Sequence, residues 1–312
     1  MKIKIYGSRG SIPFFNPSRM DFGGNTSCVR IDMDGRIIIL DCGTGILQFY
    51  FDMLENSRNM GLRLDMLELN GRNMGLRFDM LEHTENMGLR FDMLEHAGNV
   101  GLCFDILLSH LHLDHIMGLS SFPLLMDKKN NIRIFTKSRS GCDLASQIFG
   151  IFKPPYWPID LALKNQAELI EINDKDSFRL SESIKVTPFE SEHSDGTTAF
   201  RIEGEKTVVY LLDYELNIDA EKDKRLINYC KDSDVILFDC TYLSEDYPSK
   251  RGWGHSTLES GMALAESSNC KKMILSHFSY EYSDETLRSL VERIPDNKDK
   301  YFFAYDGMEM EF

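Results

Sequence analysis

The residues best suited to chemistry lie in one short stretch, residues 109–115, which reads SHLHLDH. It brings together His110, His112, Asp114 and His115. Imidazole nitrogens and carboxylate oxygens are ligands for Zn²⁺, Mn²⁺ and iron. Alternate spacing lets the first two histidines face one ion while the aspartate and the last histidine turn toward a second. We therefore predict a metal site here rather than a solvated histidine-rich loop.

Further residues of these types stand where apolar runs end. Residues 102–108 read LCFDILL, which is typical of a buried strand, and the histidine motif follows it directly. Asp213, Asp239 and His277 each close another apolar run, and His193 follows residues 184–189. A single strand-end histidine or aspartate is usually a cap, but recurrence on several strands of an α/β fold indicates a shared site.

The chain has eight histidines, and His83 and His96 occupy equivalent places in an internal repeat. We interpret those two as repeat residues that take no part in the site. The other six are assigned to it: His110, His112, His115, His193, His255 and His277. Metal-bound imidazoles also need acceptors that orient them, and the strand-end carboxylates Asp41 and Asp239 are our candidates for that role.

Composition limits what the protein does. Its 312 residues are 42% hydrophobic, which is ample for a large core, and the formal charge of −14 argues against binding extended nucleic acid. The seven cysteines are scattered through apolar segments, as in a reduced, cytoplasmic protein. The start of the chain resembles no signal peptide and no segment approaches about 20 apolar residues, so we expect no membrane partner.

The N-terminal part predicts three strands, a loop and a helix from Ile46. Glycine-rich loops at residues 7–13 and 23–29 precede the second strand. Such loops turn backbone N–H groups toward an anion, and we predict Asn25 and Ser27 as substrate-binding residues. Simple turns are the other interpretation of these loops.

Residues 51–108 contain a short repeat. The pattern Phe-Asp-Met-Leu-Glu begins at Phe51 and recurs with variations, and the glycines between copies are 14, 13 and 13 residues apart. This unit is too short for the common solenoids. We predict that each copy is a short helix or strand closed by an Asn-Met-Gly turn, and that residues 51–100 form an insertion. It serves either as a tolerated surface segment or as a methionine-rich face for a partner or for homo-oligomer formation.

Taken together, these motifs resemble the metallo-β-lactamase superfamily, and more narrowly its phosphodiesterase and ribonuclease Z-like branch. The pattern His-x-His-x-Asp-His at residues 110–115 matches the superfamily signature. His193, Asp213 and His277 match the later ligand motifs in order, and residues 254–257, GHST, resemble the extra histidine motif of the branch. The resemblance covers nearly all of the chain except the repeat.

The resemblance implies an α/β (α+β) fold, the four-layer αββα sandwich, as a single domain over residues 1–312 with the repeat inserted in it. It also implies two divalent ions, with zinc favoured over manganese or iron. One ion would take His110, His112 and His193, the other Asp114, His115 and His277, and Asp213 would bridge them. Two such ions about 3.5–4 Å apart can share a hydroxide that attacks a phosphoryl group.

Asp114 and His255 are the predicted catalytic residues. His255 is the one motif histidine left without a metal, so it is suited to protonate a leaving alkoxide near neutral pH and to contact substrate. The other interpretation is that His255 only neighbours the N-cap of the helix that begins after Ser256 and Thr257.

We predict a dinuclear hydrolase that acts on a cyclic nucleotide or a similar small phosphodiester. A tRNA 3′-processing endonuclease shares the motifs but carries a basic arm, whereas residues 51–100 here contain nine acidic and five basic residues. Lactonase or thioesterase chemistry, and a metal-stabilised scaffold whose repeats bind a partner, are the remaining alternatives. The superfamily's flavodiiron members replace the second signature histidine, which is present here as His112.

Overall fold

Two β-sheets of seven strands each form the centre of the computed structural model. The structure describes the chain except residues 60–62, 70–71, 80–93, 97–98, 140, 174–175, 192, 195, 217–220 and 295–298. At residues 18, 56–59, 63–69, 72–79, 94–96, 99–100 and 221–222 it describes the backbone alone.

The strands, in chain order, are β1 Lys2–Gly7, β2 Cys28–Met33, β3 Arg36–Leu40, β4 Arg63–Leu69, β5 Arg72–Asp79, β6 Leu94–His96, β7 Asn99–Gly101, β8 Cys103–Leu107, β9 Asn131–Thr136, β10 Glu168–Glu171, β11 Phe178–Arg179, β12 Lys185–Ser191, β13 Thr197–Glu203, β14 Thr207–Leu211, β15 Val235–Asp239, β16 Lys272–Ser276, β17 Tyr301–Phe303 and β18 Glu309–Glu311. The helices are α1 Ile46–Asn59, α2 Leu113–Ile116, α3 Leu144–Phe149, α4 Leu161–Lys164, α5 Glu221–Cys230, α6 Tyr247–Lys250, α7 Leu258–Ser267 and α8 Asp284–Glu292. Short 3₁₀ turns cover Pro17–Arg19, Met117–Ser121 and Pro123–Met126.

The two sheets are built alike. The first has the order β10-β9-β8-β3-β2-β1-β18, and its strands β3, β8, β9 and β10 run parallel. The second has the order β11-β12-β13-β14-β15-β16-β17, and β14 to β17 run parallel. Neighbouring parallel strands end level, because Leu40 pairs with Leu107 in one sheet and Leu211 pairs with Phe238 in the other. Residues that follow these strands therefore collect at one edge of each sheet.

Alternation along the strands places the sheets face to face. In β3, Ile38 and Leu40 join the core that contains Val208 and Ile236 of the second sheet, while Ile39 joins a separate core with α1 and α3. On the far side of the second sheet, α5, α7 and α8 bury leucines, including Leu226, Leu264 and Leu287. The predicted sandwich of two sheets between helical layers is confirmed.

The repeat is only partly described. Its first copy completes α1 and its last copy forms β8, as predicted. Between them lie the antiparallel pairs β4–β5 and β6–β7. The predicted Asn-Met-Gly turn is wrong at residues 73–75, because these lie inside β5, where Asn73 pairs with Glu68 and the register shifts before Leu76 pairs with Met66. His83 and the side chain of His96 lie outside the described residues, and the function of the insertion stays a prediction.

Several element predictions are confirmed, and one needs correction. The strand, strand, strand, loop, helix order at the N-terminus is observed, and α7 has Thr257 as its N-cap. The correction concerns the end of the histidine motif, which a position directly after a strand would place in a loop: Asp114 and His115 lie in the short helix α2, which begins at Leu113. Among the described residues, no helix combines the length and the apolar character that crossing a bilayer requires.

Candidate metal centre

The parallel strands of both sheets deliver the predicted ligands to one place. Asp41 follows β3, His110 follows β8, Asp213 follows β14, Asp239 ends β15 and His277 follows β16. Asp41, Asp213 and His277 have positive φ angles, 56°, 53° and 66°. Non-glycine residues seldom adopt this conformation, and it concentrates at functional sites. The chain therefore turns sharply at the strand ends that carry these side chains.

One group of potential ligand atoms comes from His110, His112, His193 and Asp213, whose ligand atoms all lie within 4.8 Å of one another. His112 Nδ1 lies 3.2 Å from His193 Nε2. The Oδ1 atom of Asp213 lies 3.5 Å from His193 Nε2 and 3.9 Å from His110 Nε2. These are the residues that the resemblance assigns to the first ion.

A second group consists of Asp114, His115 and His277, again with ligand atoms within 4.8 Å. The Nε2 atoms of the two histidines are 3.3 Å apart. They lie 3.3 and 3.4 Å from Asp114 Oδ2, and 3.0 and 3.3 Å from Asp213 Oδ2. The two oxygens of Asp213 thus face the two different groups, which is the arrangement that a bridging ligand requires.

The donor set fits a pair of divalent cations. His110 Nε2 is buried and has no hydrogen-bond partner among the described residues, and Asp213 Oδ2 lies against two imidazole nitrogens at 3.0 and 3.3 Å. Two ligands about 2.1 Å from a tetrahedral zinc ion lie about 3.4 Å apart, close to the two observed nitrogen separations. An imidazole cluster with unpaired inward atoms is costly unless cations fill it. The residues therefore fit the implied metals.

Asp41 is hydrogen-bonded to one of the predicted ligands. Its Oδ2 atom accepts hydrogen bonds from His115 Nδ1 at 2.7 Å, Tyr210 Oη at 2.7 Å and Ser109 Oγ at 2.8 Å. Its Oδ1 atom accepts the Ser109 backbone N–H at 2.7 Å. A proton held on His115 Nδ1 leaves Nε2 as the free lone pair facing the cluster. The sequence-based prediction for Asp41 thus agrees with its contacts.

Asp239 ties together the opposite side of the centre. Its carboxylate accepts the backbone N–H groups of Asp213, Thr241 and Ser256, each at 3.0 Å, and His255 Nδ1 at 2.8 Å. His277 instead directs its Nδ1 atom to Thr241 Oγ1 at 2.9 Å. Asp239 therefore bonds the imidazole of His255 rather than that of a predicted ligand, and its orienting role toward the ligands stays a prediction.

His255 lies at the rim of the cluster, 8% exposed. Its ring stacks on that of His277 at 5.1 Å and meets that of His193 edge-on at 5.2 Å. Burial lowers the pKa of His255, but the Asp239 carboxylate more than offsets it and raises the pKa to about 9. A histidine in this state is protonated at neutral pH and can donate a proton.

Burial and neighbouring charges shift the pKa values of the other site residues in different directions. Burial and the neighbouring His115 hold the pKa of His110 well below its usual value. Burial also acts against the charged form of His115, yet the carboxylates of Asp114 and Asp213 hold its pKa well above the usual value. The pKa of Asp213 is lowered by His277 and His115 in spite of burial. The ionised carboxylates and the neutral imidazole of His110 are in the forms that bind cations. The raised pKa of His115 means that a cation must displace its Nε2 proton, so metal binding there would release a proton.

The structure adds residues that sequence reasoning missed. The backbone N–H of Ser11 donates to Asp114 Oδ2 at 2.7 Å, and a Cβ on Gly10 would lie 2.3 Å from His277 Nδ1. Gly254 has φ +86°, and a Cβ there would lie 2.0 Å from His193 Nδ1. The glycine-rich loops carried a signal for close approach, but only the fold shows which ligands they approach.

The N-terminal loops make mostly structural contacts. Asn25 Oδ1 accepts the hydroxyl of Thr44 at 3.0 Å, and Ser27 is 1% exposed with no partner for Oγ among the described residues. Arg9, which belongs to the first of these loops, is fully buried and donates to backbone carbonyls, including that of Gly23 at 2.9 Å. Substrate contacts from Asn25 and Ser27 stay predictions.

Comparisons with known proteins agree with this architecture. The family model described as "Beta-lactamase superfamily domain" matches residues 104–278. Ribonuclease Z of Bradyrhizobium diazoefficiens is 32% identical over 76 residues, 24% of this chain and 25% of that protein, so the match spans about a quarter of that relative. Ribonuclease Z of Macrococcus caseolyticus is 23% identical over 257 residues, 66% of this chain and 80% of that protein. The metallo-beta-lactamase fold protein YhfI from Bacillus subtilis superposes with a TM-score of 0.65 at 16% identity, covering 100% of this chain and 98% of that one.

Proposed function

The chain belongs to the beta-lactamase superfamily. From that membership we propose that it is a metal-dependent phosphodiesterase. The proposed substrate is a cyclic nucleotide or another small phosphodiester. The observation that carries the proposal is the double cluster of imidazole and carboxylate ligand atoms, with one oxygen of Asp213 turned to each half.

In this proposal His110, His112 and His193 would hold one divalent ion, Asp114, His115 and His277 would hold the other, and Asp213, with one oxygen toward each group, would contribute to both. Bound ions would supply a hydroxide at neutral pH and neutralise charge on a phosphoryl oxygen. We favour zinc, because neutral imidazoles dominate the donor set. Manganese and iron are the alternatives.

The chain's own groups prepare the site before substrate arrives. Asp41 and Thr241 bond the Nδ1 atoms of His115 and His277, so the Nε2 atoms face inward. Ser11 steadies Asp114 through its backbone N–H. Such fixed orientation removes reorganisation from the reaction itself.

His255 is the proposed proton donor to the leaving alkoxide. Its Nδ1 atom is bonded to Asp239, so the proton that it transfers must reside on Nε2. The same carboxylate keeps the imidazole charged, which is the form that a general acid needs. Proton donation by a positioned side chain typically contributes about 10²–10⁴-fold to a rate.

The net charge of the protein favours a small substrate over an extended polyanion. The formal charge of −14 acts against a polyanion that covers a wide surface, while a small phosphodiester needs only the local site. The second candidate is tRNA 3′-processing, which the similarity to two proteins named ribonuclease Z favours. Both candidates use phosphodiester cleavage and differ in what surrounds the scissile bond.

The test is hydrolysis of bis-p-nitrophenyl phosphate, followed by a panel of cyclic mononucleotides, dinucleotides and a precursor tRNA. We expect activity that a chelator removes and zinc or manganese restores. His112→Ala should lose at least about 10²-fold in kcat/KM. The matched control is His83→Ala, which removes a histidine of the repeat and should keep full activity. Equal activity of His112→Ala and the wild type would contradict the proposal.

A further inference from the structure

Trp253 is an exposed aromatic residue that nothing in the metal chemistry uses. It is 59% exposed and is one of only two tryptophans in the chain. The other, Trp157, is partly buried against the core that contains α1 and α3. Indole rings are large and mostly apolar, so an open one commonly marks a place of contact.

The position of Trp253 connects it to the metal centre. It stands between two glycines with φ +86°, and the second of these, Gly254, packs directly against the imidazole of His193. The next residue is His255, the proposed proton donor. The exposed ring is thus carried by the same short loop that completes the rim of the site.

That loop is held firmly despite the exposure of the ring. Glu215 accepts the backbone N–H of Gly252 at 2.8 Å and that of Gly254 at 3.0 Å. The same carboxylate accepts the hydroxyl of Tyr247 at 2.7 Å. The backbone N–H of Trp253 donates to the carbonyl of Lys250 at 3.1 Å. A ring on a fixed loop binds a ligand without first losing conformational freedom.

Lys250 links the open ring to the interior. Its ammonium lies 4.9 Å from the Trp253 ring centroid and 5.5 Å from that of Tyr242. Tyr242 is 6% exposed and meets the His255 ring edge-on at 5.5 Å. Glu281 pairs with the same ammonium at 3.2 Å. Cation–π contact holds the indole in place. A continuous row of side chains thus runs from solvent to the proposed acid His255, through Trp253, Lys250 and Tyr242.

From this arrangement we infer that Trp253 is a specificity-determining residue that stacks on a planar aromatic ring of the substrate, such as a nucleobase joined to the scissile phosphate. The inference rests on the proposed function. Every base has a π-face, so stacking on one fixed indole selects aromatic substituents over alkyl ones without reading their edges. Trp253 is therefore a binding residue and takes no part in proton transfer.

The test compares two esters with the same leaving group, thymidine 5′-p-nitrophenyl phosphate and methyl p-nitrophenyl phosphate. Base–aromatic stacking corresponds to a factor of about five to a hundred in binding. We expect Trp253→Ala to raise KM for the thymidine ester by that factor and to change kcat/KM for the methyl ester by less than about twofold. Trp253→Phe should restore most of the difference, because it keeps a π-face. Tyr156→Ala is the matched control, since Tyr156 is 82% exposed and distant in sequence from the ligands.

Equal losses on both esters would overturn the inference, because they would indicate damage to the metal centre. So would unchanged kinetics on both. If the wild type cleaves neither ester, the proposed function fails, and fluorescence still decides the subsite. In Trp157→Phe the remaining indole is Trp253, and thymidine monophosphate at millimolar concentration should quench it in a saturable way. Absence of that quenching overturns the inference.

Discussion

Asp41→Asn is the substitution that most sharply tests how the metal centre is supported. Asp41 is fully buried, and its two oxygens accept four hydrogen bonds, from the backbone N–H and hydroxyl of Ser109, from His115 and from Tyr210. Asparagine has nearly the same shape and tolerates the observed φ of 56°. The change therefore removes charge and one acceptor and leaves the backbone conformation accessible.

The magnitude follows from counting donors. An amide oxygen placed where Oδ2 now lies keeps the three bonds to His115, Tyr210 and the Ser109 hydroxyl, but turns the amide NH₂ toward the Ser109 N–H. In the opposite rotamer the amide NH₂ takes the Oδ2 position, and the three hydrogen bonds accepted there are lost instead of one. A buried donor without a partner costs about 1–3 kcal/mol, which corresponds to several degrees in Tm. Loss of a carboxylate that orients a ligand lowers metal affinity about 10–100-fold.

The assay is competition with a chromophoric zinc chelator, together with thermal melting of the chelator-treated protein. Tyr210→Phe is the control, because it removes one donor and keeps the carboxylate, so its metal affinity should fall less than that of Asp41→Asn. Circular dichroism checks that both variants keep the fold. If Asp41→Asn has the same Tm as the wild type and binds zinc equally well, the orienting role of Asp41 is refuted.

Three further predictions address other parts of the site. Gly254→Ala should lower kcat/KM at least about tenfold, because its Cβ would meet His193, whereas Gly252→Ala, equally positive in φ but with open space around its Cβ, should change it far less. A pH–rate profile should fall as pH rises through about 9, because His255 must keep its proton to act as an acid, and in His255→Ala that basic limb should vanish. Asp306→Ala should lower the free energy of unfolding by about 3 kcal/mol in urea titrations, since three backbone N–H groups of the N-terminal loops lose their buried acceptor; an unchanged midpoint would contradict this.

The part of the site that the sequence predicted is the part that follows from strand ends. His110, Asp213 and His277 each follow an apolar run, and parallel strands that end level bring such residues together whatever the loops do. The same reasoning predicted Asp41 and Asp239 as orienting carboxylates. Asp41 bonds the predicted ligand His115, whereas the imidazole that Asp239 bonds is that of His255.

The remaining contacts depend on which faces of the two sheets meet. Tyr210 reaches Asp41 across the sandwich, and Ser11 reaches Asp114 over more than a hundred positions. No local pattern specifies such pairs. A tyrosine inside an apolar strand was still a signal, because a buried hydroxyl needs a partner.

In the repeat, a clear local sequence pattern did not predict the secondary structure. Glycine at regular intervals suggested turns, but Gly75 lies within β5, at a shift in the register between β4 and β5. A glycine inside a strand commonly marks such an irregularity. Sequence periodicity at residues 51–100 identified the segment without determining its secondary structure. Deletion of residues 62–100, followed by assay of activity and of oligomeric state, tests whether the segment is dispensable.

The central claim is that imidazoles and carboxylates from both sheets hold two divalent ions. Its most direct test is the metal content per chain, measured by plasma mass spectrometry after zinc loading and dialysis. We predict close to two ions in the wild type and a loss of tightly bound metal in Asp213→Ala, since that carboxylate faces both groups. Fewer than about one ion in the wild type, or an unchanged content in Asp213→Ala, would contradict the account.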